Sequence, residues 1–100
     1  MVYIIQLIYL KEGQEEVFEQ FEAVAIPSIK KYEGRMLLRV RPPTDAYITR
    51  DIEEPYEIHI AEFPSASQFD AYLEDEERKR FLHLKEKSIR AAFFIRGTRL

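Results

Sequence analysis

The chain opens on MVYIIQLIYL, a run that is apolar however its residues are divided. Val2, Tyr3, Ile4, Ile5, Ile8 and Tyr9 are strand formers. Alternate side chains of a strand point to opposite faces. Tyr3, Ile5, Leu7 and Tyr9 would form one face, and Val2, Ile4, Gln6, Ile8 and Leu10 the other. Both sets are mostly apolar, so both faces of this strand need cover. The run stops at Lys11, well short of the roughly 20 apolar residues of a membrane span. It lacks the positive start and small-residue cleavage site of a signal peptide. It reads as a buried strand, with the cytoplasm as the expected location and no membrane partner.

Downstream, residues 13–33 carry helical spacing. Val17, Phe18, Phe21, Val24, Ala25, Ile29 and Tyr32 fall into one apolar stripe. Glu15 and Glu16 begin it, Lys30 and Lys31 end it, and each pair suits the helix dipole. Gly34 is the expected C-cap, and Pro27 is expected to kink one continuous helix. A second strand follows at residues 35–41. Residues 42–54, PPTDAYITRDIEE, have no period and read as an exposed, mobile loop. YEIHIAEF, residues 56–63, is a third strand. Ser65 with Gln68 fits a capping box that opens a helix. The run EDEERKR, residues 74–80, holds no apolar residue, which predicts a break near Glu74–Glu77 and a second helical segment to about Arg90. AAFFIR, residues 91–96, is the last strand, ended by Gly97. Strand, helix, strand, strand, helix, strand is the ferredoxin-like βαββαβ order. The expectation is one α+β domain over residues 1–100, a four-stranded antiparallel sheet with its helices on one face.

Several function classes drop out on composition. The net charge is -3, with no basic excess to hold a phosphate backbone, so no nucleic-acid partner is expected. There is no cysteine, hence no disulfide, thiolate metal site or cysteine nucleophile. His59 and His83 are the only histidines and share no metal-ligand motif, so no metal is expected. No serine lies in a nucleophile elbow, and three glycines make no phosphate loop. No cofactor is expected.

The remaining signal is charge on strands two and three. In GRMLLRVRPP, alternation puts Met36, Leu38 and Val40 on one face and Arg35, Leu37, Arg39 and Arg41 on the other. The apolar set is expected beneath the helices, which leaves the arginines on the open face. In strand three, Tyr56, Ile58, Ile60 and Glu62 alternate with Glu57, His59, Ala61 and Phe63. Two registers are open: Arg41 beside Glu57 with Arg39 beside His59, or Arg39 beside Glu57. Leaving the open face of strand one bare beside Leu37, Ala61 and Phe63 would expose a large apolar patch. A sheet-to-sheet homodimer is the economical cover.

Pro27-x-Ile29-x-x-Tyr32-x-Gly34-Arg35, Glu62-Phe63-Pro64-Ser65 at a helix start and a last strand ending in Gly97 resemble the domain-of-unknown-function family 1330, over nearly the whole chain. That family often has a second glycine where this chain has Glu33, and the loop from Pro42 to Glu54 is long. The resemblance implies the ferredoxin-like fold and a dimeric α/β barrel. It brings no activity with it, although the wider superfamily includes cofactor-free monooxygenases, lyases and isomerases.

Arg39, Glu57 and His59 form the sharpest candidate site. Arg39, with Arg35 and Tyr32 nearby, would hold a small acidic organic molecule. His59 would move a proton, and Glu57 would orient its ring. The competing reading is a ladder of opposite charges that only fixes an interface. A cavity of about 300 Å³ or more beside Arg39 and His59 would distinguish the two. Tyr3, Tyr9, Tyr56, Met36 and Tyr72 read as core.

Overall fold

A computed structural model describes residues 1–100. Strands β1 (Val2–Leu10), β2 (Arg35–Val40), β3 (Glu57–Phe63) and β4 (Ile89–Gly97) form one sheet in the order β2-β3-β1-β4. Every neighbouring pair is antiparallel. Helix α1 (Glu15–Ile29) crosses from β1 to β2, and α2 (Ala66–Leu73), α3 (Glu76–Arg80) and α4 (Leu82–Ser88) connect β3 to β4. This is the α+β ferredoxin-like fold, with all helices on one face of the sheet.

Pro27 lies in the last turn of α1. It cannot donate to the carbonyl four residues back. The α-helix accordingly ends at Ile29 rather than running kinked to residue 33, and a 3-10 turn, Lys30–Tyr32, finishes it. The left-handed cap is Glu33 (φ 61°), not Gly34. Gly34 serves a different need. A Cβ there would lie 2.7 Å from both Ile29 Cγ2 and Phe63 Cε1, inside any real contact distance. The bare backbone lets α1 hand over to β2 directly above Phe63.

Ser65 caps α2, accepting a hydrogen bond from the Gln68 N–H at 3.2 Å. The expected break after Leu73 is present, and Asp75 restarts the helix by accepting from the Arg78 N–H at 3.0 Å. Asp75 also accepts from the Tyr32 hydroxyl at 2.7 Å, which ties the end of α1 to the start of α3. Strand β4 begins at Ile89, two residues earlier than its apolar run indicates. The loop from residue 42 to 54 is mostly exposed, as expected, and its far end is fastened to the sheet. Tyr9 donates to the Glu53 carbonyl at 2.7 Å, and Arg90 pairs with the Glu53 carboxylate at 2.6 Å.

The face assignment of β3, and of β2 beyond Leu37, is reversed from the sequence expectation, while Met36 and Arg35 keep the faces expected for them. Arg39 pairs with His59, the first of the two registers. A bulge between Met36 and Leu38 inserts Leu37 as an extra residue. Alternation resets across such a bulge. Met36 therefore lies opposite Ala61 under the helices, whereas Leu38 and Val40 lie opposite Ile60 and Ile58 on the open face. Ile4, Ala61 and Phe63 pack with Ile29 and Phe69 as the core, so the odd-numbered residues of β3, Glu57 and His59 included, point toward the helices. Glu62 consequently leaves the helix side expected for it and pairs with Arg35 at 2.9 Å. The open face carries Ile5, Leu7, Ile58, Ile60, Leu38, Val40, Phe93 and Ile95, and the last two are each 50% exposed.

Gly34→Ala should lower the free energy of unfolding by about 1–3 kcal/mol, since Ile29 and Phe63 are both core and cannot withdraw freely. Urea unfolding of the two proteins measures this, and an unchanged midpoint would contradict the packing described.

Candidate functional site

The residues that face the helices from β1, β3 and β4 do not fill the space beneath α1. A cavity of about 390 Å³ remains between the sheet and the helices. Its walls are mostly apolar, and six polar side chains interrupt them: Gln6, Glu22, His59, Tyr72, Arg78 and Lys85. Gln6 and His59 are cross-strand partners on β1 and β3. Phe18 of α1 covers the imidazole, with ring centres 6.5 Å apart.

Glu57 and His59 are two apart on one strand, so both point the same way. They are 2% and 3% exposed. His59 Nε2 is hydrogen-bonded to Glu57 Oε2. Arg39 Nε donates to the same oxygen at 2.9 Å, while Arg39 Nη2 and Arg41 Nε donate to Oε1 at 3.1 and 2.7 Å. Arg41 and Arg39 also pair with Glu19 on α1. Burial by itself would push the Glu57 carboxyl up. Hydrogen bonds from His59, Arg39 and Arg41 outweigh it and hold the group down at about 2. An ionised Glu57 fixes the proton on Nε2, and Nδ1 of His59 makes no hydrogen bond within the chain. That leaves Nδ1 as the ring's available acceptor on the cavity wall.

Glu22, on α1, is 7% exposed. Burial raises its carboxyl to about 6; attraction from Arg39 offsets part of this, and the nearby Glu57 and Glu19 add to it. A carboxyl in that range can either give or take a proton near neutral pH. Burial lowers the Lys85 ammonium, as does the charge of Arg78, with Glu22 acting in the opposite sense. Tyr72 donates to the Ala25 carbonyl at 3.2 Å, and burial raises its phenol. No three His, Asp or Glu side chains converge as a metal site requires.

The structure brings together three of the five residues selected from the sequence. His59 lines the cavity, Glu57 holds His59, and Arg39 holds Glu57 from outside the cavity. Arg35 lies with Glu62 at the exposed edge, and Tyr32 with Asp75 at the α1–α3 junction, both away from the cavity. Glu22, Arg78, Lys85 and Gln6 were not selected. Glu22 had a legible signal, a charge at position i+4 from Phe18 within the apolar stripe of α1. Gln6 had one too, as the lone polar residue on its face of β1. Arg78 sits in an all-polar run and gave none.

No protein-family model matches the chain, and no curated protein matches it. Solved structures do. A protein of unknown function from Rhodopseudomonas palustris superposes with a TM-score of 0.84 at 16% identity, covering 99% of this chain and 82% of that one. An antibiotic biosynthesis monooxygenase gives 0.70 at 12% identity, over 100% of this chain and 99% of that one. An uncharacterised NIPSNAP domain protein from Burkholderia xenovorans gives 0.69 at 12%, over 100% and 95%. The likeness is one of fold.

Two opposite pH dependences follow. Glu57 is lowered from the ordinary carboxylate range, so its stabilising contribution is complete above about pH 4.5 and is lost as the pH falls toward 2. Glu22 is raised, so the native state holds its proton longer and stability drops as the pH rises from about 4.5 through 6. Glu22→Gln should therefore stabilise the protein by about 2 kcal/mol at pH 7.5 and by almost nothing at pH 4. Denaturant titrations at both pH values check the sign, and a destabilised variant at pH 7.5 would contradict it.

Proposed function

We propose that this protein binds a small acidic organic molecule in the cavity beneath α1 and transforms it by cofactor-free proton transfer, as an isomerase or monooxygenase would. One observation carries the reading. A buried histidine on the cavity wall has one ring nitrogen fixed by a carboxylate held near pKa 2 and the other without a protein partner. His59 is the base at Nδ1. Glu57 sets its tautomer and ring orientation, and Arg39 and Arg41 keep Glu57 ionised. Two arginines already balance Glu57, so its role is orientation more than added basicity. Glu22 accepts or returns the second proton. The carbanion left by proton removal then reprotonates at a neighbouring atom or meets oxygen, the latter being the chemistry that the name of the monooxygenase neighbour brings to mind. Arg35 and Tyr32 take structural roles in this reading, as partners of Glu62 and Asp75.

We place the chain in the domain-of-unknown-function family 1330. The residues of that resemblance have concrete packing tasks here: Ile29, Gly34 and Phe63 meet at one contact, Tyr32 bridges to Asp75, and Ser65 caps α2. We further propose a homodimer joined through the open sheet face, where Leu38, Val40, Phe93 and Ile95 remain exposed. The lack of cysteine suits a cytoplasmic setting. No helix is long and apolar enough to cross a membrane. A second reading, a non-catalytic dimeric interaction module, draws its support from the Arg39–Arg41–Glu57–Glu19 cluster, whose charges pair with one another.

A thermal-shift screen of small carboxylic acids, phenols and quinones finds ligands; one at 100 times its dissociation constant adds about 2.7 kcal/mol, on the order of 10 °C. Ligands so found are then incubated in D₂O and their C–H exchange followed by NMR. Wild-type protein should catalyse exchange, and His59→Asn should slow it by roughly 10²-fold or more while still binding. Exchange that persists in His59→Asn would rule out His59 as the base. Sedimentation equilibrium should give twice the 11.9 kDa chain mass, and Ile95→Lys should return it to one chain. A wild-type monomer at high micromolar concentration would remove the dimer.

A further inference from the structure

Arg35, Arg39, Arg41, Arg50 and Arg90 each face a carboxylate. Arg78, the one buried arginine at 8% exposure, faces none. Its guanidinium lies over the Phe21 and Tyr72 rings, at 5.8 and 5.1 Å; Nη1 donates to the Leu73 carbonyl at 3.3 Å, and the Tyr72 hydroxyl, whose phenol burial raises and Arg78 lowers, is its other polar neighbour. Nε is fully buried and has no partner. A desolvated charged donor left open is costly, and native proteins keep few of them. Stacking on two rings fixes the plane of the guanidinium, but it satisfies no N–H.

The surroundings indicate what the missing partner is. Arg78 lines the same cavity as His59, and Lys85 adds a second cation to its wall. The two cations are close enough for Arg78 to lower Lys85. Glu22 is the only acidic side chain in the lining and makes no ion pair with either. An apolar chamber with adjacent cations, one of them a planar guanidinium without a carboxylate partner, is a receptor for a carboxylate on an apolar body. Position along α1 adds a constraint. His59 lies near Phe18 and Arg78 near Phe21, three residues on, about 4.5 Å of helix rise. A molecule touching both holds its carboxylate and its reacting carbon several ångströms apart.

We propose that Arg78 is the carboxylate anchor of the cavity, receiving a monocarboxylic acid with an aromatic or branched apolar body through its guanidinium, with Lys85 as the second cation. This rests on the reading of the cavity as a ligand site, and it names the substrate class and the residue that selects it. Arg78 orients the molecule, and His59 acts on the carbon at its other end.

The test compares 3-phenylpropionate with its neutral amide, 3-phenylpropionamide, by calorimetry. The arginine Nε–H resonances of ¹⁵N-labelled protein are followed in parallel. The acid should bind at least about tenfold more tightly than the amide, because a carboxylate accepts two charged donors at once. The Arg78 Nε–H signal should move downfield with the acid and stay in place with the amide. Arg78→Gln should bring the acid down to the affinity of the amide. Arg78→Lys, which keeps the charge and loses the fork, should bind the acid at an intermediate level. If Arg78→Gln does not fold, the acid–amide comparison and the resonance in the wild-type protein decide. Equal binding of acid and amide, or acid binding with an unmoved Arg78 signal, overturns the anchor and leaves the proton-transfer reading of His59 standing. Failure of both probes to bind at millimolar concentration overturns the anchor and the ligand-site reading together. A shifted Arg78 signal without His59-dependent exchange in D₂O keeps the anchor and removes the base.

Discussion

A carboxylate that is 2% exposed stays ionised beneath a helix only if donors meet it on every side, and Glu57 has four such hydrogen bonds from three residues. Most of the polar architecture depends on that arrangement. Arg39 and Arg41 must reach the helix side of the sheet to supply it. They do so because the bulge at Leu37 resets the alternation of β2. The same bulge sends Leu38 and Val40 to the open face, which leaves apolar residues uncovered there. One extra residue in an edge strand thus sets both the electrostatics of the covered face and the exposure of the other.

With Glu57 secured, His59 has a fixed tautomer and one nitrogen to spare. Burial in the surrounding cavity wall moves Glu22 up to about 6 and lowers the Lys85 ammonium. Two groups with perturbed proton affinity in the same cavity as an oriented histidine is a pattern that catalytic sites share. Purely structural networks tend instead to close on themselves, as Arg39, Arg41, Glu19 and Glu57 do outside the cavity. The molecule contains both kinds side by side. Glu57 belongs to each, since its carboxylate completes the outer network and orients the inner histidine.

Much of the fold was legible in order and type. The amphipathic stripe of α1, the Ser65 cap, the break before α3 and the strand order all follow from local chemistry. The pairing of Glu57 with His59 was legible too, because residues two apart on a strand share a face whichever face that is. The direction of that face was not. Strict alternation in GRMLLRVRPP favours an apolar set under the helices, and nothing local in Met36-Leu37-Leu38 marks a bulge. Tyr32 and Arg35 were drawn toward the site by proximity in sequence, and the turn at Glu33 and Gly34 carries them to other partners. Arg78 is not legible in the sequence because an EDEERKR run has the composition of a solvated helix start, and only the packing of α3 over Phe21 buries one of its charges.

The sequence by itself determined the elements, their order and the ferredoxin-like topology, because hydrophobic period, capping residues and the proline in α1 act over a few residues at a time. It also determined that β1 needs cover on two sides. Only the tertiary structure decided which face of β2 and β3 meets the helices, since a bulge is settled by the whole ladder of cross-strand pairs. Only it decided that Gln6, Glu22, His59, Arg78 and Lys85 share a cavity. Those five residues come from five separate elements, and no local rule couples their positions; the space between sheet and helices does.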